Sequence, residues 1–356
     1  MIEENNEIIL KNYRIKIQTG LLHQLEEFIK PLWSQRQVAL ITDDNVGPLY
    51  AATVEKQLNK MNYKVVVLTI PAGEASKSWR QVQRVIELLA QNNFVRSDGI
   101  IALGGGVVGD LAGFIASIYM RGISLIQIPT SLLAQVDSSV GGKTAIDLPA
   151  GKNMVGTFYQ PDLVLIDSTT IKTLPKRMLV EGYGEIVKCA ALVGGRFWAI
   201  VQRVNEPEDI IRQAEKLIYA SVSFKAGVVQ QDEKETGLRK LLNFGHTFGH
   251  AVELLEDGRL MHGEAVAIGM VHVMAVFEQK GMTVSGTTAA ISERLERVGL
   301  PLDAPELGTP AFYRAIQHDK KIRGDQLTLV YVKKIGEPAF FPLKTAELKN
   351  WLGAAI

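Results

Sequence analysis

The sequence predicts two architectures in one chain: an α/β, doubly wound, Rossmann-like N-terminal domain (residues 1–170) and a mostly α-helical, metal-binding C-terminal domain (residues 171–356). Three observations carry that expectation. In the first half, short continuous apolar runs, among them V-A-L-I-T at 38–42 and G-I-I-A-L at 99–103, alternate with amphipathic stretches; strands of that kind belong to a parallel sheet covered on both faces. Past T-T-I-K-T-L-P the spacing of apolar residues becomes helical almost throughout. Three of the six histidines, His246, His250 and His262, fall within 17 positions of the second half.

In chain order, residues 8–10 and 14–17 read as a short hairpin and 21–29 as an amphipathic helix. The strand at 38–42 runs into Asp43-Asp44-Asn45, and a helix over 48–60 begins on Pro48, where a missing N–H costs nothing. A strand at 64–70, a loop P-A-G-E-A-S-K, a helix at 79–92 and the strand at 99–103 follow. G-G-G-V-V-G-D opens a helix to Met120, and a strand occupies 124–129. Residues 130–161, rich in Gly, Ser, Lys and Asp, read as irregular, and 163–167 adds the last strand of this half. The second half reads as helices at 176–196, 208–231, 240–256, 263–280, 287–299 and 309–317, then a strand at 327–332 paired with 337–341.

Composition bounds the function. A length of 356 residues, 47% of them hydrophobic, fits about two domains with sizeable cores. A net charge of +1, spread along the chain, argues against a nucleic-acid or membrane-surface partner. The single cysteine, Cys189, excludes an internal disulfide and suits a reducing compartment. The acidic opening M-I-E-E-N-N-E does not read as a signal peptide. The longest apolar region, 99–120, holds Asp110 and six glycines and does not read as a membrane span. The expectation is a cytoplasmic protein.

His246 and His250 are four apart in a stretch that reads as helix, so they share one face. Gly245 and Gly249 flank them. Glycine inside a helix costs about 1 kcal/mol against alanine, so something must come close to that backbone; a metal with bound substrate is the simplest occupant. An H-x-x-x-H pair alone is more often two hydrogen-bonded core histidines. His262-Gly263-Glu264 shifts the balance, because two imidazoles and a carboxylate with one position open form a catalytic zinc pattern. The spacing leaves open which two histidines bind and which carboxylate joins them.

Gly104, Gly106 and Gly109 satisfy G-x-G-x-x-G directly after a strand and at a helix start, where backbone N–H groups can cradle a pyrophosphate. The motif sits on a late strand, and no acid lies about 20 residues on. Asp43, ending an earlier strand, is placed to take ribose hydroxyls instead, or to cap the next helix; an acidic ribose partner favours NAD over NADP. Glu74 and Lys77 either reach the same crevice or form a solvated turn. The connection 130–153 holds Asp137, Lys143, Lys152 and Asn153 among glycines, with Arg121 before it. Lys188, Lys225, Arg239 and the run Asp319-Lys320-Lys321 add further cations. An isolated lysine is usually solvated, but several at glycine-rich turns suggest a pocket for a small polyanion carrying phosphate and carboxylate.

Taken together, P-A-G-E-x-x-K, G-G-G-V-V-G-D-L, Y-M-R-G, A-Q-V-D-S-S-V-G-G-K-T, G-K-N-M-V-G, E-I-V-K, L-L-N-F-G-H-T-F-G-H, H-G-E and D-K-K resemble the 3-dehydroquinate synthases of the wider sugar-phosphate cyclase family, over nearly the whole chain. The resemblance implies metal ligands at Glu185, His246 and His262, holding zinc or, alternatively, cobalt. It implies that His250 is a proton-transfer group near the substrate. Substrate contacts correspond to Asp137, Lys143, Lys152, Asn153, Lys188, Lys225, Arg239, Asn243 and Lys320. NAD contacts carry over to Asp43, Glu74, Lys77, Gly105, Gly106, Asp110, Thr130 and Ser131, with Lys143 and Lys152 serving both; Ser131 keeps the hydroxyl of the threonine that many relatives have. Arg121 corresponds to a residue reaching a neighbouring subunit's phosphate site, which implies a homodimer. The implied reaction is that of a phosphate-eliminating lyase of the shikimate route. It converts 3-deoxy-D-arabino-heptulosonate 7-phosphate to 3-dehydroquinate and phosphate by transient oxidation, elimination, re-reduction and intramolecular aldol closure.

Three rivals are weighed against this. A sibling cyclase acting on sedoheptulose 7-phosphate or glucose 6-phosphate would be marked, as the resemblance implies, by changes at the second histidine of G-H-x-x-G-H and the Asn of G-K-N; His250 and Asn153 both stand. A metal-dependent polyol dehydrogenase would accumulate NADH. An inactive regulatory module would not keep Glu185, His246 and His262 together with the basic residues.

Overall fold

The structure is a computed structural model describing residues 6–317 and 325–352. The chain forms two compact units, Met1–Leu174 and Pro175–Ile356. In the first, β1 (Glu7–Ile9) and β2 (Arg14–Ile17) make the antiparallel hairpin. Then follow α1 (Leu25–Ile29), β3 (Gln37–Asp43), α2 (Ala52–Lys60), β4 (Lys64–Ile70), α3 (Trp79–Gln91), β5 (Gly99–Gly104), α4 (Gly106–Ile118), β6 (Ser124–Pro129), β7 (Lys143–Leu148), β8 (Gly151–Phe158) and β9 (Leu163–Ile166). Seven strands share one sheet in the order β1-β2-β9-β6-β5-β3-β4, parallel except at β1–β2.

The continuous apolar runs have the reason expected of them. Successive side chains on a strand face opposite sides. Val38 and Leu40 of β3, with Ile101 and Leu103 of β5, enter a core with α1 and α2. Ala39, Ile41, Ile100 and Ala102 enter another with α3 and α4. Both faces are covered, so no polar alternation is needed. From β3 the chain first adds β4 on one side and then β5 on the other. That reversal creates a crevice at the C-terminal ends of β3 and β5, the place where such sheets bind ligands.

Three expectations for this unit change. Residues 21–29 form a 3-10 turn, Leu21–His23, and then α1, separated by Gln24 at φ −127°. The helix expected from Pro48 opens with a wide turn, Gly47–Ala51. Residues 130–161, read as irregular, contain the antiparallel hairpin β7–β8. Thr144 and Ile146, two apart, are buried, and Ile146 joins the core against α4. Gly113 of α4 makes room for Thr144, whose Cβ would lie 3.2 Å from any Cβ at 113. The abundant Gly, Lys and Asp mask this short alternation in the sequence.

The second unit holds α5 (Lys176–Val193), α6 (Gly195–Val201), α7 (Pro207–Arg212), α8 (Ala214–Gln231), α9 (His246–Leu255), α10 (His262–Gln279), α11 (Thr287–Glu296) and α12 (Pro310–Gln317). The hairpin β10 (Gln326–Lys334) and β11 (Glu337–Lys344) and the short α13 (Leu348–Leu352) complete it. The helix expected over 240–256 is two pieces. Leu238–Asn243 is a 3-10 turn, and Gly245, at φ 76°, turns the chain so that α9 starts on His246. Among the described residues no helix is long and apolar enough to cross a membrane.

The glycines beside the histidines prove to serve helix packing rather than a bound metal and substrate. A Cβ on Gly249 would sit 2.8 Å from the Ala265 carbonyl oxygen, and one on Gly245 would sit 2.8 Å from that of Val266. From the other side, a Cβ on Gly269 would run into the Gly245 carbonyl and lie 2.6 Å from Gly249 N. Helices α9 and α10 therefore meet backbone to backbone. Helix α5 meets the start of α10 in the same way: a Cβ on Gly184 would lie 2.8 Å from the Gly263 carbonyl oxygen, and one on Gly263 would run into that of Glu181. Alanine at Gly269 would gain about 1 kcal/mol of helix propensity, but overpacking a contact this tight costs about 1–3 kcal/mol or more. Gly269→Ala is therefore expected to lower the thermal unfolding midpoint; an unchanged or higher midpoint would show that the helices can part without cost.

Candidate active site

In the first unit, the crevice at the strand ends gathers several predicted residues. Thr42 of β3 lies opposite Leu103 of β5, so Asp43 and Gly104 leave the sheet side by side. The Thr130 N–H donates to the Gly104 carbonyl at 3.0 Å, bringing in Thr130 and Ser131. Among the described residues no side chain caps α4 at Gly105. Side chains there would crowd the turn: a Cβ on Gly106 would lie 3.1 Å from Ser138 Oγ, and one on Gly105 would lie 3.4 Å from Ser131 Oγ. Uncapped N–H groups at a helix start, behind bare glycines, fit the phosphates of a dinucleotide. Asp43 does cap the turn that follows it, its Oδ1 accepting from Asn45 N at 2.9 Å and Val46 N at 2.8 Å.

Lys77 is not part of a solvated turn. Its side chain is 4% exposed and its Nζ meets Asp110 Oδ2 at 2.9 Å, Glu74 Oε1 at 3.4 Å and Asp147 Oδ1 at 3.9 Å. It also donates to the Asn153 amide oxygen. Asp147 in turn accepts from Asn153 N at 2.7 Å, and its own N–H donates to the Lys77 carbonyl at 2.8 Å. One buried ammonium thus ties the helix behind the glycine turn to the β7–β8 hairpin, which carries Lys143, Lys152 and Asn153. Burial would lower the Lys77 pKa, but the facing carboxylates of Asp110, Glu74 and Asp147 hold it above the ordinary value. At Asp110 burial outweighs Lys77 and raises the pKa to about 6. Asp137 lies in the turn Ala134–Ser138. Arg121 is exposed after α4, in a left-handed conformation shared with Met120, at φ 64° and 48°. Two successive non-glycine residues there are held at a cost of about 1–3 kcal/mol each.

In the second unit the close-packed helices converge on one centre. His246 starts α9, His250 stands one turn on, His262 starts α10, and Glu185 projects from α5. Ligand atoms of the three imidazoles lie within 4.8 Å of one another. Glu185 Oε1 lies 3.6 Å from His246 Nε2 and 3.7 Å from His262 Nε2. This oxygen is buried and accepts no hydrogen bond among the described residues. Ligand atoms about 2.1 Å from one tetrahedral ion lie about 3.4 Å apart, so a carboxylate oxygen and two ring nitrogens are spaced to share one. The opposite ring nitrogens are occupied: His246 Nδ1 lies 3.1 Å from the Phe244 carbonyl and His262 Nδ1 lies 3.0 Å from Glu253 Oε2. A proton on each Nδ1 leaves the Nε2 lone pairs turned toward Glu185. Lys188, also 1% exposed, pairs with Glu185 Oε2.

Glu264, the acid beside His262, does not join this centre. It accepts from Arg177 Nε at 2.7 Å and from Met261 N at 2.8 Å, closing the start of α10. Glu181, one turn before Glu185, faces Gly263 N at 3.4 Å. Burial raises its pKa to about 7, offset in part by that N–H. Arg239 is buried on the turn before α9, its Nη1 donating to the Glu233 carbonyl at 2.5 Å. Asn243 Nδ2 donates to Glu235 Oε1 at 2.7 Å. Lys225 is buried on α8, which packs against that turn. Lys320 lies outside the described residues. Sequence reasoning missed Glu253, Glu235 and Glu181. For Glu253 there was a signal: it follows His246 by seven and His250 by three, on the same helical face.

Residues 67–181 match the family described as 3-dehydroquinate synthase N-terminal, and 182–322 match its C-terminal counterpart. A relative from Lactiplantibacillus plantarum named 3-dehydroquinate synthase is 58% identical over 97% of this chain and 96% of its own length. The chain belongs to the 3-dehydroquinate synthase family. The fold of this chain is also that of solved cyclases. A 2-deoxy-scyllo-inosose synthase complexed with carbaglucose-6-phosphate, NAD+ and Co2+ has a TM-score of 0.88 at 27% identity, covering 98% of this chain and 99% of that one. ValA, a 2-epi-5-epi-valiolone synthase from Streptomyces hygroscopicus subsp. jinggangensis with NAD+ and Zn2+ bound, has a TM-score of 0.86 at 26% identity, covering 97% of each chain.

The Lys77–Asp110 pair generates a test. Removing one partner of a buried ion pair costs about 3–5 kcal/mol. Asp110 titrates near 6, above the ordinary carboxylate range, so the folded state binds its proton more tightly and this group's contribution to stability falls as pH rises from about 4 to 6. Lys77→Met is therefore expected to lower the unfolding midpoint strongly at pH 8, where Asp110 is left charged, and less at pH 5, where it takes a proton. Equal losses at the two pH values would count against this coupling.

Proposed function

We propose that this chain converts 3-deoxy-D-arabino-heptulosonate 7-phosphate to 3-dehydroquinate and phosphate, in the shikimate route. The observation that carries this is the 58% identity, over nearly the full length of both chains, to a relative named for that activity. The solved cyclases named for other products stand at 26–27%. NAD and a divalent ion are its cofactors, a reading supported by neighbours holding NAD+ with Co2+ or Zn2+ and by the fit of the glycine turn and the imidazole–carboxylate centre. Zinc, at Glu185, His246 and His262, is the ion that best suits two nitrogens and one oxygen with a position open.

When bound, the ion supplies a Lewis acid for a substrate hydroxyl, and NAD takes and returns a hydride, so there is no net redox change. The chain's own groups bind and position. Lys188, Lys225 and Arg239 supply buried positive charge for the substrate's carboxylate and phosphate; one preorganised contact of this kind is worth about 3–4 kcal/mol where charge develops. Asp137, Lys143, Lys152, Asn153 and Lys320 complete the binding set. Asn243, fixed by Glu235, offers an oriented amide. His250, its ring 5.3 Å from His246 and 5.6 Å from His262, relays protons among the substrate hydroxyls. The departing phosphate can act as its own base. Arg121, exposed after α4, reaches the phosphate site of a second subunit, which makes the protein a homodimer. A small charged substrate places the work in the cytoplasm.

Purified protein given the heptulosonate phosphate should release phosphate without lasting NADH absorbance, and a chelator should abolish release. Steady NADH growth would identify a polyol dehydrogenase; turnover of sedoheptulose 7-phosphate or glucose 6-phosphate instead would identify a sibling cyclase. His250→Ala should retain zinc and lose about 10²–10⁴-fold in turnover, whereas Glu185→Ala should lose the ion; loss of zinc from His250→Ala would reassign the ligands. Mixing Arg121→Ala and His250→Ala subunits should recover activity, because one site of each hybrid dimer has both residues. No recovery in verified hybrids would remove Arg121 from the neighbouring site.

A further inference from the structure

We propose that Glu253 is a positioning residue for the metal centre: it fixes the His262 ring so that Nε2 faces the ion, without itself being a ligand. This rests on the ligand reading given above. Glu253 Oε2 lies 3.0 Å from His262 Nδ1, and the Glu253 side chain is 15% exposed. An ionised carboxylate only accepts hydrogen bonds, so the proton between them belongs to Nδ1 and the lone pair to Nε2, the atom 3.7 Å from Glu185 Oε1. The two proposed histidine ligands are oriented differently. His246 uses a main-chain carbonyl, that of Phe244, which no side-chain substitution removes. His262 uses a charged side chain, which also makes the imidazole a stronger donor to the ion.

The backbone of His262 is anchored by other groups. Gly263 N faces Glu181 Oε2 at 3.4 Å, and Met261 N donates to Glu264 Oε2 at 2.8 Å. Gly263 also packs directly on the Glu181 carbonyl. Loss of Glu253 therefore frees rotation of one ring while leaving the start of α10 in place. Helix α9 thus carries one ligand, His246, and from the same face orients another that belongs to α10.

The experiment measures zinc affinity by competition with a chromophoric chelator, and the visible spectrum of the Co2+-loaded protein, for the full chain and four variants. Glu253→Ala should bind zinc about 10–100-fold more weakly, with shifted Co2+ bands and a metal-free unfolding midpoint like that of the parent. Glu253→Gln keeps an oxygen acceptor and should recover most of the affinity and the parent spectrum. Glu253→Met, which keeps the volume and removes the acceptor, takes the place of alanine if that variant does not fold. His262→Ala separates the two readings. If it loses zinc while Glu253→Ala and Glu253→Met bind like the parent with an unchanged Co2+ spectrum, the positioning role is overturned and the ligand reading stands. If His262→Ala keeps zinc, the ligand reading fails. If Glu253→Ala loses zinc as completely as His262→Ala, Glu253 is a ligand and not a positioning residue.

Discussion

The second unit depends on a contact without side chains. Helices α9 and α10 touch through Gly245, Gly249 and Gly269, and α5 touches the start of α10 through Gly184 and Gly263. Each glycine weakens its own helix. In return three backbones come close enough for Glu185, His246 and His262, up to 77 positions apart in sequence, to meet within 3.7 Å of one oxygen. Longer residues at these crossings would spread the helices toward ordinary interaxial distances of about 8–10 Å, and short side chains such as His and Glu could not then span one small ion.

The first unit works by a different device. Its glycine turn and strand ends follow from sheet topology, which puts β3 and β5 next to each other just where the chain reverses its direction of winding. The basic hairpin is not part of that sheet. It is held by Thr144 and Ile146 against α4 at one end and by Lys77, through Asp110, Asp147 and Asn153, at the other. A single buried cation holding several acceptors specifies geometry well, since every partner would be left unsatisfied by a shift.

Much of this was legible in the sequence. The sheet announced itself because strands buried on both faces must be continuously apolar, as V-A-L-I-T is. The glycine turn was legible because strand, G-x-G-x-x-G and helix follow one another without a break. The hairpin at 143–158 was not, since only Thr144 and Ile146 turn inward and glycine and charge fill the rest. Gly245 and Gly249 were noticed for the right reason, a close approach, but the approaching group is another helix, and no local pattern reveals a partner 16–24 residues away. The residues alone left Lys77 open between the crevice and a solvated turn, because its four acceptors come from three separate stretches. Glu253 went unremarked although it shares a helical face with His246 and His250, because glutamate late in a helix is ordinary and its partner, His262, comes from another helix.

Glu185 and Lys188 are each 1% exposed and one helical turn apart. A lone carboxylate in that place would meet a severe desolvation penalty and would disfavour folding until a cation arrived. The adjacent ammonium cancels the charge beforehand. The proposed ligand carboxylate is thus charge-balanced by its own helix, and an arriving cation would have to compete with Lys188 for it.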